Sequence, residues 1–365
     1  MHAAQVVRAA AAAFPGATFY GLTGPRTRAA GVETIFDLTT HAAMLSGIIN
    51  VIGQARRALR LIKENWDKRP PDLVLLVDSP ELHLRVARLA HRRKLRVLYY
   101  VAPQTWASRP GRNRQIARDV DRLACILPFE EDYFRRNLVY ADYVGHPLFE
   151  TLQDEIPRDE AVRKLRASGR PVVAIMPGSR RHVIDTMLPL QLQVIRRLRA
   201  QIGGLTSAIS CISADRIPQI RRHMHASGFA SEIIVDDNAS LLTAADLVLV
   251  ASGTATLHVA HYRKPMVVMY DAGRLLALPY RLFGRFIIKL PHLSLVNILA
   301  DARVVPEFMP FIRDLDAIAA VAGQLLGDET RRQIMIRQLD EIVSPLEGTQ
   351  ASANVCRIMR DLLAS

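Results

Sequence analysis

Residues Val74 to Glu81 read Val-Leu-Leu-Val-Asp-Ser-Pro-Glu, and this stretch decides the fold class. Its four apolar residues leave no polar face, which is typical of a strand buried on both sides of a parallel sheet. The strand ends abruptly at Asp78. Open α/β sheets place ligands and catalytic groups at the carboxyl ends of their strands. Asp78 is therefore a candidate catalytic residue, although an Asp before a proline also commonly caps a helix.

Strands and helices alternate along the rest of the chain. A basic helix over residues 82–94 and a strand over 97–101 follow the opening stretch, and this succession is the βαβ signature. The second half repeats it, with strands at 172–176, 206–211, 233–235, 246–251 and 265–270. We predict an α/β protein with one Rossmann-like domain over 1–168, a second over 169–345, and a C-terminal helix within 346–365 that packs back on the first domain.

The net charge of +13 predicts anionic partners. Nucleic acid, phosphorylated substrates and an acidic membrane surface all fit such a charge. Nucleic acid is disfavoured because no recognition motif accompanies the basic residues. The three cysteines, Cys125, Cys211 and Cys356, form no C-x-x-C pair, so neither a zinc site nor a disulfide framework is predicted. A reducing, cytoplasmic compartment fits this usage, and we predict no signal peptide or membrane span.

Two strand-to-helix turns in the second half are candidates for phosphate binding. They consist of Gly178, Ser179 and Arg180, and of Ser252, Gly253 and Thr254. Small residues leave the amides of a helix N-terminus free to bind an anion, and Arg180 adds a bidentate phosphate donor. Simple N-capping by Ser or Thr produces the same residue types. Their occurrence at matching strand ends favours phosphate binding, and the capping alternative stays open.

Two further segments carry candidate contacts. The loop after the strand at 97–101 contains Gln104, Trp106 and Arg109, which suit a phosphate or sugar site but equally suit surface packing. Residues 42–62 form an amphipathic stretch with a basic flank, as interfacial membrane helices have. The alternative is a core-facing helix with a solvated charged face. The candidate membrane contacts are Met44, Ile48, Ile49, Ile52, Arg56 and Arg57.

Many short blocks of the sequence, in order over residues 1–345, resemble the lipid-A-disaccharide synthase family. The blocks include Gly21-Leu22-Thr23-Gly24-Pro25-Arg26, Asp78-Ser79-Pro80-Glu81, Leu127-Pro128-Phe129-Glu130, Gly145-His146-Pro147, Pro177-Gly178-Ser179-Arg180 and Ser252-Gly253-Thr254-Ala255-Thr256. The resemblance implies two Rossmann-like domains facing across a cleft, the B-type glycosyltransferase architecture. It implies an acceptor and catalytic site on the first domain and a UDP-sugar site on the second.

The resemblance also implies a reaction. UDP-2,3-diacylglucosamine condenses with 2,3-diacylglucosamine 1-phosphate to give lipid A disaccharide 1-phosphate and UDP, with inversion and without metal or cofactor. Asp78 matches a general-base candidate for the acceptor hydroxyl, and Arg180 matches an arginine that contacts the donor. The other donor candidates are Gly178, Ser179, Ser252, Gly253, Thr254, His258 and Asn297. The acceptor-side candidates are Glu81, Gln104, Trp106, Arg109 and His146.

Two departures from the family pattern affect these expectations. The family's opening strand and its Gly-Glu-x-Ser-Gly-Asp turn precede the first helix, whereas this sequence begins at that helix, so we expect the first domain to lack its usual first strand. His258 stands where the family has a glutamate. A non-catalytic sugar-nucleotide-binding or membrane-binding homologue is therefore the alternative. The acylated substrates favour a peripheral position on the cytoplasmic side of the anionic inner membrane, and a homodimer is a further expectation.

Overall fold

The protein is described by a computed structural model that covers residues 2–37, 48–273 and 291–364. The chain divides into two units. The first comprises Met1–Glu150 and Thr349–Ser365, and the second comprises Thr151–Gly348. Every strand pairing in both units is parallel, as the α/β prediction requires.

The first unit contains a two-stranded and a four-stranded sheet. Its strands are β1 Tyr20–Thr23, β2 Glu33–Asp37, β3 Leu73–Val77, β4 Arg96–Tyr100, β5 Arg122–Cys125 and β6 Ala141–Tyr143. Strands β1 and β2 pair with each other, and the larger sheet has the order β3-β4-β5-β6. Its helices are α1 His2–Ala13, α2 Pro25–Arg28, α3 Ile48–Lys68, α4 Pro80–Arg92, α5 Asn113–Asp119 and α6 Pro128–Arg136. Helix α7, Pro147–Leu152, leads into the second unit.

Strand β3 is covered on both faces, as its apolar sequence predicts. Val74 and Leu76 are buried in a cluster that includes Trp66 of α3. Leu73, Leu75 and Val77 point the other way and pack against a second cluster, which contains residues of α1 and of the C-terminal helix. The carboxyl end of β3 therefore projects from a well-packed layer, which fixes the position of Asp78.

The second unit contains one six-stranded sheet. Its strands are β7 Val172–Met176, β8 Thr206–Cys211, β9 Glu232–Val235, β10 Leu247–Ala251, β11 Met266–Met269 and β12 Glu307–Phe308. Its helices are α8 Asp159–Arg166, α9 Arg181–Ile202, α10 Ile217–Ser227, α11 Asn238–Ala244, α12 Ala255–His261, α13 Leu295–Ala300, α14 Leu315–Gly327 and α15 Glu329–Val343. Strands β7, β10 and β11 are buried along their whole length because the sheet is covered on both sides.

The strand order of this sheet is β12-β11-β10-β7-β8-β9. The chain moves outward from β7 through β8 to β9, then returns to β10 and moves outward in the opposite direction. The order therefore reverses between β7 and β10, which pair directly with Val250 opposite Met176. In open α/β sheets a ligand crevice forms at such a reversal, outside the carboxyl ends of the strands.

The boundary between the units differs from the predicted one near Gly169. The charged stretch before that glycine belongs to the second unit, because α8 packs on α11 and its basic residues bind carboxylates there. Lys164 lies 2.7 Å from Glu232, for example. Segment 346–365 is likewise divided: the second unit extends to Gly348, and the C-terminal helix α16, Ala351–Ala364, packs in the first unit against α1.

Candidate active site

Asp78 lies at the carboxyl end of β3 in a strained backbone conformation. Its φ is 56° and that of Ser79 is 49°, and non-glycine residues rarely enter this left-handed region. Such strain costs about 1–3 kcal/mol per residue and is concentrated at functional sites. Ser79 is the N-cap of α4, yet no side chain caps that helix. The capping interpretation of Asp78 is therefore wrong.

The backbone of Asp78 is held firmly while its side chain stays available. The Tyr99 hydroxyl donates to the Asp78 carbonyl at 2.7 Å, and the Nδ1–H of His83 donates to the same oxygen at 2.8 Å. Within the described residues, the exposed carboxylate has no hydrogen-bond or ion-pair partner. A carboxylate that is fixed at its backbone and free at its oxygens suits a general base.

His2 was not a candidate from the sequence, but in the structure its imidazole interacts electrostatically with the Asp78 carboxylate. Burial lowers the pKa of His2, and the Asp78 carboxylate opposes this by attracting the imidazolium. His2 in turn affects His146. Burial, and then the charge of His2, lower the pKa of His146 to about 4. A single histidine in an Ala-rich helix carries no distinctive pattern. The position of His2 near the start of α1 was therefore the one sequence signal that could have indicated it.

His146 is a neutral residue with one nitrogen already engaged. It is 2% exposed, and its Nδ1 accepts the backbone N–H of Leu148 at 3.1 Å. The preceding Gly145 has φ 98°, and a Cβ there would lie 2.5 Å from the Thr349 hydroxyl. This turn therefore requires glycine, and it positions the imidazole at the end of β6.

Glu81 forms a charged cluster with two arginines of the loop after β4. It accepts Arg109 at 2.6 Å and Arg112 at 2.7 Å on the same oxygen. The hydrogen bond from Arg112 is the main reason that the pKa of Glu81 is lowered. Two guanidinium groups on one carboxylate leave a net positive charge at the start of α4, which suits a phosphate group.

The other two candidates on this loop differ in availability. Gln104 is exposed. Trp106 instead anchors the loop, because its indole N–H donates to Glu130 at 3.0 Å and its ring packs edge-on against Phe129. Glu130 is 1% exposed, and burial raises its pKa to about 7 against the effect of the N–H donors. Its place three residues after Leu127, the N-cap of α6, lets it accept the Leu127 N–H at 3.1 Å.

In the second unit, the turn after β7 presents an arginine at the start of α9. Gly178 has φ 100°, and a Cβ there would lie 2.8 Å from Val183 Cγ1, so only glycine fits. Ser179 and Arg180 are exposed. The Arg180 guanidinium has no partner among the residues that the structure describes. It is therefore available to an anion at the end of β7.

The turn after β10 lies beside the first one, since β7 and β10 are neighbours. Gly253 has φ 133° with open space around its Cα. Thr254 is exposed at the start of α12, and its side chain makes no capping hydrogen bond. Ser252 continues the sheet through a bond from its N–H to Met269. Both turns thus flank the point where the strand order reverses.

Comparison with known proteins identifies the family. A family model described as lipid-A-disaccharide synthetase matches residues 1–356. The lipid-A-disaccharide synthase of Geobacter sulfurreducens is 36% identical over 367 residues, which cover 100% of this chain and 94% of that protein. The enzyme of Myxococcus xanthus is 34% identical over 370 residues, with 99% and 94% covered. This chain belongs to the lipid-A-disaccharide synthase family. It is therefore a glycosyltransferase of lipid A synthesis.

Solved structures show the fold that goes with this family. The UDP-GlcNAc 2-epimerase from Neisseria meningitidis, bound to UDP-GlcNAc, has a TM-score of 0.65 at 11% identity and covers 99% of this chain and 97% of its own. The glycotransferase of kitacinnamycin has a TM-score of 0.59 at 12% identity, with 99% and 95% covered. The fold is that of the B-type glycosyltransferases and related epimerases, as the sequence resemblance implies.

His258 binds a carboxylate from the loop between α7 and α8. It is 7% exposed, and its Nε2 lies 3.0 Å from Glu155, which also accepts the Tyr262 hydroxyl at 3.3 Å. The imidazole is thus already engaged, and the less buried Glu155 is the more accessible group. Glu155 was missed because it lies more than a hundred positions away in the sequence.

Asn297 does not fit its predicted role in donor binding. Its side chain is fully buried. The amide donates to the Val305 carbonyl and to Glu307, and its oxygen accepts the N–H groups of Val304 and Val305. The side-chain amide thus donates two hydrogen bonds and accepts two, all with other groups of the protein. Asn297 therefore fixes the approach to β12 and cannot reach a nucleotide.

The candidate membrane contacts fall on α3 and on the segment before it. Met44 lies outside the described residues, and Ile48, Ile49 and Ile52 belong to α3. The basic pair at the next turn, Arg56 and Arg57, is exposed. In the part of the chain that the structure describes, no helix is both long and apolar enough to span a bilayer.

Proposed function

We propose that the chain transfers the diacylglucosaminyl group of UDP-2,3-diacylglucosamine to 2,3-diacylglucosamine 1-phosphate, with inversion at the anomeric carbon. The observation that carries the donor half is the pair of turns at the β7/β10 reversal, beside Arg180, whose guanidinium has no partner among the described residues. Helix N-terminal amides and a guanidinium stabilise the negative charge that develops on a departing diphosphate.

On the acceptor side, Asp78 is the proposed base. It takes the proton of the attacking hydroxyl as the bond to the anomeric carbon forms and the bond to the UDP oxygen breaks. Its free carboxylate and fixed backbone support this role. The Glu81, Arg109 and Arg112 cluster is proposed to hold the acceptor phosphate, because it carries one net positive charge. Glu155 and His258 are proposed to contact the donor together.

Two variants test the assignment, with disaccharide and UDP formation followed in a mixed detergent assay. Asp78→Asn should lower kcat by about 10²-fold or more, the usual scale for general-base loss, while UDP affinity measured by calorimetry stays unchanged. Arg180→Gln should weaken UDP binding at least tenfold. Asp72→Asn, at the exposed amino end of the same strand, is the matched control and should retain activity. Full activity in Asp78→Asn would exclude Asp78 as the base.

We also propose that the enzyme works on the cytoplasmic face of the inner membrane and contacts it through α3. The exposed Arg56 and Arg57 favour an anionic surface. Each basic residue near such a surface contributes about 1 kcal/mol, so the double replacement by glutamine should reduce binding to phosphatidylglycerol vesicles strongly and to phosphatidylcholine vesicles little. Equal binding of the wild type to both vesicle types would argue against an electrostatic contact.

A further inference from the structure

A charged pocket in the second unit lies at the edge of the sheet opposite to the donor-side turns. Its lining includes Pro171, Asp246 and Pro265, which immediately precede β7, β10 and β11. These three strands are neighbours, so their amino ends border the pocket. Gly178 and Ser252 follow the carboxyl ends instead. A five-residue strand is roughly 17 Å long, and the pocket is therefore separate from the candidate donor site.

Five of the thirteen residues that line this pocket are basic. Its volume is about 530 Å³, within the usual range of small-molecule sites. The basic lining residues are Arg166, Arg170, Arg263, Lys264 and Arg332. Among the described residues, the acidic side chains that line it are those of Asp246 and Glu329. An excess of positive charge of this kind attracts anions.

The two carboxylates are already engaged. Asp246 accepts the backbone N–H of Val172 at 2.8 Å and Arg166 at 3.1 Å. Glu329 binds Arg332, which also donates to main-chain carbonyls at the end of α14. Each of the two carboxylates is thus ion-paired with an arginine of the pocket.

Among the described residues, Lys264 and Arg170 are the pocket cations that lack an ion pair, since Arg263 pairs with Asp340 and Glu347. The Lys264 ammonium donates to the Thr243 carbonyl at 3.1 Å, and no carboxylate of the described residues lies within ion-pair distance of it. Burial, and then repulsion from Arg166, lower the pKa of Lys264, while attraction by the Asp246 carboxylate opposes this shift. The Arg170 guanidinium likewise has no ion-pair partner in residues 2–37, 48–273 and 291–364. A partly buried, unpaired ammonium is unfavourable, and a bound anion would remove that cost.

We propose that this pocket binds a phosphate-bearing ligand, with Lys264 and Arg170 contacting the phosphate oxygens and with Arg166 and Arg332 supplying positive charge around them. Phosphate suits these groups because its oxygens accept several charge-assisted hydrogen bonds and match the guanidinium fork. The phosphate belongs either to a free small molecule or to the headgroup of an anionic phospholipid. The proposal does not depend on the reaction proposed above.

The test measures binding of inorganic phosphate by calorimetry in saturating UDP, so that the donor site is filled. A parallel arm measures sedimentation with phosphatidylglycerol and phosphatidylcholine vesicles. The variant is Lys264→Gln combined with Arg170→Gln. Arg337→Gln is the matched control because Arg337 lies on α15, is exposed and does not line the pocket. Arg170→Gln alone is a second variant, since an exposed side chain without partners is not needed for folding.

A free phosphate-bearing ligand is supported if inorganic phosphate still binds in saturating UDP and if its binding weakens at least tenfold in the double variant but not in Arg337→Gln. A lipid headgroup is supported if the protein binds phosphatidylglycerol vesicles selectively, loses this binding in the double variant and does not bind inorganic phosphate. The single Arg170→Gln change should weaken whichever binding occurs. The proposal is overturned if neither probe binds, or if all variants behave as the wild type. Arg180→Gln should leave both probes bound, which separates this result from a failure of the proposed donor site.

Discussion

At the scale of single residues, Glu130 is expected to make stability depend on pH. Its pKa is about 7 in the folded protein against an ordinary 4.5. Between these values the folded state holds a proton that the unfolded chain has lost, so the free energy of unfolding falls as pH rises from about 4.5 to 7. A shift of this size corresponds to about 3 kcal/mol.

The variant Glu130→Gln should remove most of the decrease in the free energy of unfolding between pH 4.5 and 7, because glutamine does not titrate. Urea unfolding at pH 5 and pH 7 measures it. The variant should also be less stable at pH 5 by about 1–2 kcal/mol, because one amide oxygen cannot accept from both the Trp106 indole and the backbone N–H groups. Asp132→Asn, exposed on the same helix, should keep the wild-type dependence. An unchanged dependence in Glu130→Gln would show that Glu130 is not responsible.

Residues predicted from the sequence divide according to how local their signals are. Asp78 and Arg180 were predicted because each follows a recognisable buried strand, and the structure finds both side chains unpaired among the described residues. Asn297 was misplaced because its burial depends on the Val304–Glu307 segment packing around it. Glu155 was missed for the same reason, since its partner His258 is distant in sequence. Local pattern locates strand ends, whereas side-chain partners depend on tertiary packing.

At the scale of elements, the turn between β7 and α9 depends on Gly178. Alanine there would have to adopt φ 100° and would place its Cβ 2.8 Å from Val183. Gly178→Ala should therefore weaken UDP binding at least tenfold and lower stability by about 1–3 kcal/mol. Calorimetry and urea unfolding measure the two effects.

Gly203→Ala separates backbone strain from the clash with Val183 as causes of the effects expected in Gly178→Ala. Gly203 ends α9 with φ 72°, but no atom lies within 4 Å of a Cβ built there. This control should show a cost of backbone strain without loss of UDP affinity. If Gly178→Ala binds UDP as the wild type does, the turn does not form the donor site.

The elements themselves were largely predictable because their periodic patterns are strong. Strands β7 and β8 begin and end at the predicted residues. The helical segment at 315–343 is divided into α14 and α15, since Asp328 caps α15 by accepting the Arg331 N–H with its carboxylate. Strand β12 was missed because two residues carry no alternation. Apolar periodicity shows that an element exists, and a single polar cap within a long pattern decides where it is divided.

At the scale of the whole molecule, the chain begins and ends in the same unit. Helix α16 packs on α1 and against strands β3 and β4, far from its neighbours in sequence. The predicted boundary at Gly169 failed because a charged stretch looks like a linker when its partners are unknown. Arg158, Lys164 and Arg166 each pair with a carboxylate of the second unit. Two units with separate cores should therefore respond separately to core mutations.

Ile358→Ala on α16 tests this independence. Ile358 is 4% exposed within the cluster that covers β3 and β4, and truncating it should cost about 2–5 kcal/mol through the cavity that it leaves. Hydrogen exchange should become faster in β3 and β4 while β7 and β10 keep their protection. Leu363→Ala on the same helix, where the side chain is 46% exposed, should cost less than about 0.5 kcal/mol. Equal loss of protection in both sheets would show that the units unfold together, and that the backbone strain at Asp78 is supported by the whole chain rather than by the first unit.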